Sequence, residues 1–414
     1  MARPATSPRS QAWRRTFTAM KYRNYRLWFF GQMFSLFGSW MQSTAQGYLV
    51  FQLTRSPAYL GYVSFAGGVP TWILTLYGGV VADRVPRRTL MLITQACQML
   101  LAFALAAVTF LHAVQPWHIL VLAALLGVTN AFDAPARQSF VLEMVEREDL
   151  TNAIALNGTM FNAATAVGPA IGGLVYAWLG PAWCFTVNGI SFVAVIIALA
   201  LMQLRSFTAS ATHATALADL KEGLRYVAGH SRIRTLIALV AVFTMFGMSF
   251  ITLMPAWAVT ILRGDATTNG LLQSARGVGA LIGALGIASL GRFNFKGKVL
   301  TVGTLAFPVT LLAFSAVRWL PLSLLTLVVA GGSVVMVMNL ANALVQTLVA
   351  DRLRGRVMGI YSLVFFGSIT IGGLLIGTIA ERIGEPTAIG LGAAVTMAAA
   401  IIAWAFFPIL RGLE

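Results

Sequence analysis

Long apolar runs, each near the length of a bilayer-spanning helix, alternate with short polar clusters twelve times along the chain. A bilayer core about 30 Å thick needs roughly 20 helical residues at 1.5 Å of rise each. On that ruler the predicted spans are 25–51, 59–82, 89–111, 118–142, 151–179, 183–204, 233–262, 268–291, 299–317, 321–349, 355–382 and 387–408. The pattern predicts an all-α integral membrane protein with twelve transmembrane helices. A basic segment, 1–24, leads into a six-helix bundle over 25–204; a polar linker, 205–232, leads into a second bundle over 233–408 and a tail, 409–414.

The two halves repeat each other. At an offset of 209, Asn130, Asp133 and Arg137 of the fourth span fall on Asn339, Asn342 and Gln346 of the tenth, and Gly61 falls on Gly270. At an offset of 204, Gly168, Gly173 and Gly180 fall on Gly372, Gly377 and Gly384, and at 208 Arg84 falls on Arg292. In register with twelve spans, these matches predict a 6+6 duplication about a pseudo-twofold axis.

Composition agrees: 58% of the 414 residues are hydrophobic and 10% charged, against about 25% charged in soluble domains. The net charge of +16 would suggest a polyanionic partner in a soluble protein, but its placement argues otherwise. With the N-terminus cytoplasmic, the inner connections hold 24 of the 29 Lys and Arg, and the outer ones hold Arg55, Arg263, Arg318 and Arg382. The remaining one, Arg276, lies well inside a span, the only base to do so outside the fourth. This is the positive-inside bias of a protein in the cytoplasmic membrane with both termini inside, and it requires no nucleic acid. The first apolar run is too long for a cleaved signal peptide and reads as the first span.

Cys97 and Cys184 each sit in an apolar run, so neither a disulfide framework nor a metal site is expected. There is no H-E-x-x-H, no G-x-S-x-G and no Cys–His pairing among four histidines, so neither an enzyme nor a cofactor is expected.

The stretch "GGVVADRVPRR", 78–88, carries one carboxylate and three guanidiniums between two spans. Arg87 and Arg88 fit topology signals, whereas an acid adds nothing to that rule. Gly79-x-x-x-Asp83-Arg84-x-Pro86-Arg87-Arg88 resembles the loop between the second and third spans of the major facilitator superfamily. Gly168-Pro169-x-x-Gly172-Gly173 is similar to the motif of that superfamily's exporters and antiporters. "DAPARQSF" and "LTNAIALN" resemble its enterobactin-exporter-like branch of drug and siderophore exporters. The resemblance implies that Asp83 caps the eleventh helix, near Arg354 to Val357, when the cytoplasmic side is closed. Pro86 stands where the family commonly has Gly, and the second copy, "GRFNFKGK", has no acid, so a one-sided latch is expected. Gly168-Pro169 is either a pivot and packing seam or a tolerated kink.

Gln32, Ser35, Ser39, Gln42 and Gln46 recur at spacings of 3 and 4 and share one face of the first span. In hydrocarbon such a face turns toward water or protein; by the resemblance, spans 1, 4, 7 and 10 line a central cavity. Phe34, Phe37, Trp40 and Tyr48 offer an aromatic wall or plain packing. Asn130, Asp133 and Arg137 share a face, as do Asn339, Asn342 and Gln346, and the two faces are expected to oppose each other. An acid near mid-bilayer costs on the order of 3 kcal/mol on insertion scales. Asp133 is therefore either the partner of Arg137 in an i, i+4 ion pair or a proton carrier. Arg276 has no acid on its helix and meets either an anionic substrate, Asp265 or backbone carbonyls. His112 and His118 read as interfacial; Glu143, Glu146, Glu148 and Asp149 read as a solvated turn capping the fifth helix.

With the resemblance, these residues lead to the expectation of a monomeric exporter of an amphipathic small molecule, drug- or siderophore-like, exchanging it for protons by rocking of the two bundles. An importer or lipid flippase on the same fold, or a receptor without transport, are the alternatives.

Overall fold

The computed structural model describes residues 17–204, 216–289 and 296–406. The ends of the chain, part of the expected linker and most of "GRFNFKGK", Arg292 included, lie outside them. Twelve long helices follow: α1 Arg23–Thr54, α2 Pro57–Arg84, α3 Arg87–Phe110, α4 Pro116–Met144, α5 Leu150–Leu179 and α6 Pro181–Leu201, then α7 Ser231–Ile261, α8 Ala266–Ser289, α9 Lys296–Ala316, α10 Leu320–Leu348, α11 Arg354–Ile383 and α12 Glu385–Phe406. A linker helix, Ala216–Gly229, stands between α6 and α7. Eleven of the twelve are long and apolar enough to cross a bilayer. The remaining one, α1, is 32 residues long, and its five-residue Gln/Ser stripe lowers its hydropathy.

Local sequence sets the ends of these rods. Prolines open α2, α4 and α6 at positions where the missing N–H has no helical partner to lose. Gly180 and Gly384 close α5 and α11 at φ of 91° and 82°, where a side chain would be strained. These two glycines are repeat partners, so the duplication reaches the level of a single backbone angle. The seventh helix is irregular: π turns at Phe243–Gly247 and Trp257–Ile261 flank a 3-10 stretch, Met248–Leu253.

Packing follows the repeat. Helix α2 lies on α4 as α8 lies on α10, and α3 lies on α6 as α9 lies on α12. The bundles meet along two seams, α2 with α11 and α5 with α8. Both seams are closest at the end remote from the arginine-rich loops, here called the far end. A Cβ on Gly377 would lie 3.0 Å from the Gly61 Cα, and one on Gly270 would lie 3.0 Å from the Gly173 Cα. These are the same contact in the two halves. With no side chains intervening, the backbones touch and seal the far end.

The basic end is open. Gly79, Gly158, Gly286, Gly355 and Gly359 face empty space, and Ile73 and Tyr77 of α2 are 63% and 61% exposed. The linker helix rides on the start of α11, where Arg356 pairs with Glu222 at 2.6 Å.

A carboxylate also crosses the far-end seam. Glu381 Oε2, near the end of α11, accepts from Ser56 Oγ at 2.8 Å and from the Ala58 N–H at 3.1 Å, capping the first turn of α2. An anion there meets the positive end of the helix dipole, worth about 0.3–1 kcal/mol when exposed. Glu381→Gln is therefore expected to reduce far-end closure by roughly two- to fivefold. Distance distributions between spin labels on α2 and α11 would show it, and unchanged distributions would remove Glu381 from the seal.

Candidate functional site: a polar cavity between the bundles

Between the sealed far end and the open basic end lies a cavity of about 550 Å³. All five polar residues of the α1 stripe, Gln32, Ser35, Ser39, Gln42 and Gln46, line it, as do Asn130 and Arg137 of α4. Helix α3 adds Gln95 and Gln98, α6 adds Asn188, and the second bundle contributes Thr252 and Gln273. The wall is tied together by its own amides: Asn188 Nδ2 donates to Gln42 Oε1 at 2.7 Å, and Gln98 Nε2 donates to Asn130 Oδ1 at 3.2 Å. Gln32 Oε1 and Gln95 Oε1 are buried acceptors without a partner. Such groups are costly to leave unmet, and both lie on side chains of the wall, buried behind its surface.

Asp133 lies behind this wall. It is 1% exposed, and its Oδ1 accepts from Thr94 Oγ1 at 2.8 Å and Gln95 Nε2 at 3.0 Å. Its Oδ2 faces Arg137 Nη2 at 3.2 Å, so the expected i, i+4 ion pair is present. Two of these three partners, Gln95 and Arg137, are themselves cavity residues. A change in the charge of Asp133 must therefore alter the cavity wall.

The glycine–proline motif serves two surfaces at once. Gly168 and Gly172 meet α1, where added Cβ atoms would lie 2.7 Å from the Trp40 Cβ and 2.9 Å from the Met41 carbonyl oxygen. Pro169 and Gly173 meet α8 across the bundle boundary. Pro169 has no N–H for the Thr165 carbonyl, and a Cβ on Gly277 would come within 2.4 Å of that oxygen. Next to it, the Ala170 N–H donates to Ser274 Oγ of α8 at 2.9 Å. The motif thus combines a broken helical bond with a close seam.

Other expectations are revised. Asn339 and Gln346 are exposed and Asn342 partly buried, outside the cavity lining, because the open basic end separates their face from α4. Gln346 Nε2 donates to Asn342 Oδ1 instead. Asp83 is half exposed and pairs with Arg87 at 3.8 Å rather than with α11; the end it would latch is open. Arg87 reaches Glu143 at 2.7 Å and Arg88 the Ala200 carbonyl at 2.7 Å, both within the first bundle, while Arg84 is exposed. Of the proposed aromatic wall, Trp40 lines the cavity, in edge contact with Phe161; Phe34 is 60% exposed on the outside. Of the acidic turn, Asp149 stands at the N-cap of α5, but its side chain makes no capping hydrogen bond. Asp149 binds Lys21 at 2.6 Å and the Tyr22 hydroxyl at 2.9 Å, and these hold its carboxyl below the usual range, Lys21 foremost. Cys97 and Cys184 are free thiols.

The residues at or behind the cavity wall missing from the sequence reading include Thr94, Gln95, Gln98, Asn188, Thr252 and Gln273. The available signal was their rarity, since Thr94, Gln95 and Gln98 are the polar interruption of an otherwise apolar α3.

Two six-helix bundles related by a pseudo-twofold axis, sealed at one end and enclosing a polar cavity, define a membrane transporter of the major facilitator class. The chain belongs to the transmembrane secretion effector family of that class, whose profile matches residues 15–412. It is 28% identical over 357 residues to the multidrug efflux pump Tap of Mycolicibacterium fortuitum, covering 84% of this chain and 87% of that protein. It is 25% identical over 261 residues to the staphyloferrin A transporter of Staphylococcus aureus, covering 62% and 65%. The crystal structure of a D-xylose-proton symporter shares the fold at a TM-score of 0.72 and 12% identity, covering 93% of this chain and 98% of that one.

Proposed function

We propose that the protein is a secondary active exporter of an amphipathic small molecule, working as a proton antiporter by alternating access. The basic end faces the cytoplasm, and the described state is open to it. Cargo enters from the cytoplasm or inner leaflet and rests against the α1 stripe, Gln95, Gln98, Asn130 and Asn188. Rocking about the seams α2–α11 and α5–α8 then closes the basic end, with Asp83 capping α11, and parts the far-end glycines. The efflux for which Tap is named favours outward movement, and the staphyloferrin A transporter favours a small-molecule cargo.

The observation that carries this reading is the placement of Asp133 one bond behind the cavity wall. While ionised, it holds Gln95 and Arg137 in the geometry that receives cargo. Once protonated, it can no longer hold Arg137, the wall loosens and cargo affinity falls. Proton and cargo thus exclude each other, which is the thermodynamic condition for exchange. The test uses vesicles with the basic end outward and an acidic lumen, supplied with dansyl amphiphiles carrying an anionic, neutral or cationic headgroup. Uptake of at least one, collapsing with a protonophore, is expected. Uptake indifferent to the gradient would refute proton exchange, and no uptake of any would refute export.

A further inference from the structure

Resting on that reading, we infer that Arg276 makes the cavity selective for anionic cargo, an amphiphile whose carboxylate or other acidic group meets the guanidinium beyond Gln273. The first ground is position. Helix α8 repeats α2 at an offset of 209, under which Gly61 corresponds to Gly270, Ser64 to Gln273 and Gly67 to Arg276. Ser64, Gly67 and Gln273 all line the cavity. Arg276 therefore corresponds to a cavity residue of the first bundle; it lies outside the lining itself, three residues beyond Gln273 on the same helical face. Asn269 continues that face toward the sealed end, and Gln273 Nε2 donates to its Oδ1 at 3.3 Å.

The second ground is charge. Arg276 Nε is buried without a hydrogen-bond partner, and among the described residues no carboxylate lies within ion-pair distance of it. The charged residue that lines the cavity, Arg137, is already answered by Asp133 at 3.2 Å. Among the described residues the lining contains no carboxylate. One unanswered positive charge thus stands one helical turn beyond the Gln273 edge of the cavity, deep in a helix where arginine is among the least tolerated side chains. A guanidinium retained there is a planar donor fork suited to a carboxylate, phosphate or sulfonate.

The Arg276 main chain supports the same assignment. Gly331 of α10 packs against its carbonyl, with an added Cβ only 2.1 Å away. The backbone that presents the guanidinium is thereby held against a second helix, as a recognition group requires.

Three dansyl probes of one size test this: dansylglycine, its amide, and a quaternary ammonium analogue, titrated against the protein in zwitterionic nanodiscs. The wild type should bind dansylglycine about tenfold tighter than the amide, and the cation most weakly. Arg276→Gln should bring the carboxylate-to-amide ratio near one, with Arg276→Lys recovering part of it. The paired variant Asp133→Asn/Arg137→Gln loosens the wall and should weaken both probes alike while the carboxylate-to-amide ratio persists; loss of the ratio there would move the preference to Arg137 and overturn the assignment. A wild-type ratio near one, or preference for the cation, overturns it as well, and this holds should Arg276→Gln fail to fold. Uptake of all three probes alike in the vesicle assay would leave export standing and sink the charge selectivity alone; uptake of none would sink both.

Discussion

Asp133→Asn is expected to reach the membrane folded and to lose gradient-driven export. Steady-state accumulation should fall to the passive level, while downhill exchange continues within a factor of about ten. The substitution keeps shape and can still accept from Gln95 and Thr94, so the buried pocket is conserved. It fixes the group in a neutral state and leaves Arg137 without its partner. Removing one member of a fully buried pair typically costs about 3–5 kcal/mol. Here the Arg137 side chain is one-third exposed toward the cavity, so hydration offsets much of that loss. Should the single variant be unstable, Asp133→Asn/Arg137→Gln gives the same readout without an orphaned charge. Uphill transport at wild-type level by either variant would remove Asp133 from the coupling.

The second large effect is expected at the far-end seam. A Cβ on Gly173 would lie 2.6 Å from the Ala266 carbonyl oxygen and 3.2 Å from the Gly270 Cα, and main-chain atoms cannot rotate away. Gly173→Val must therefore push α5 from α8. Overpacking typically costs about 1–3 kcal/mol, which lowers the sealed population by roughly five- to 150-fold. Cysteines placed at the far end of α8 should become reactive to membrane-impermeant thiol reagents, and transport should stop. In α12, Gly390→Ala makes an ordinary 3.5 Å contact with Ser315 and serves as the control with little effect. Equal labelling of the two variants would mean that the glycines are not the seal.

Much of this was legible in the chain. Helix positions followed from span length, and the Gly168/Gly372 and Gly180/Gly384 matches placed the halves in register from spacing alone. The α1 stripe was readable because five polar residues on one face have no comfortable place in lipid. The Asp133–Arg137 pair was readable from a spacing of four. What was not legible depends on contacts between helices. Thr94 and Gln95 are isolated polar residues whose meaning appears only when α3 lies against α4. Glu381 looks like a charge at a helix end until Ser56 is found across the boundary. Asn339, Asn342 and Gln346 share the periodicity of Asn130, Asp133 and Arg137, yet periodicity cannot say which end is open, and opening separates the two faces.

The donors and acceptors around the cavity come almost wholly from α1, α3, α4 and α6, while the second bundle presents few besides Thr252 and Gln273. Substitutions that retune which compounds fit can accumulate in the first six helices without disturbing the second bundle. The first bundle is thereby free to diversify as a reader of shape and hydrogen bonding, while the second contributes few contacts beyond Gln273 and the charge proposed for Arg276.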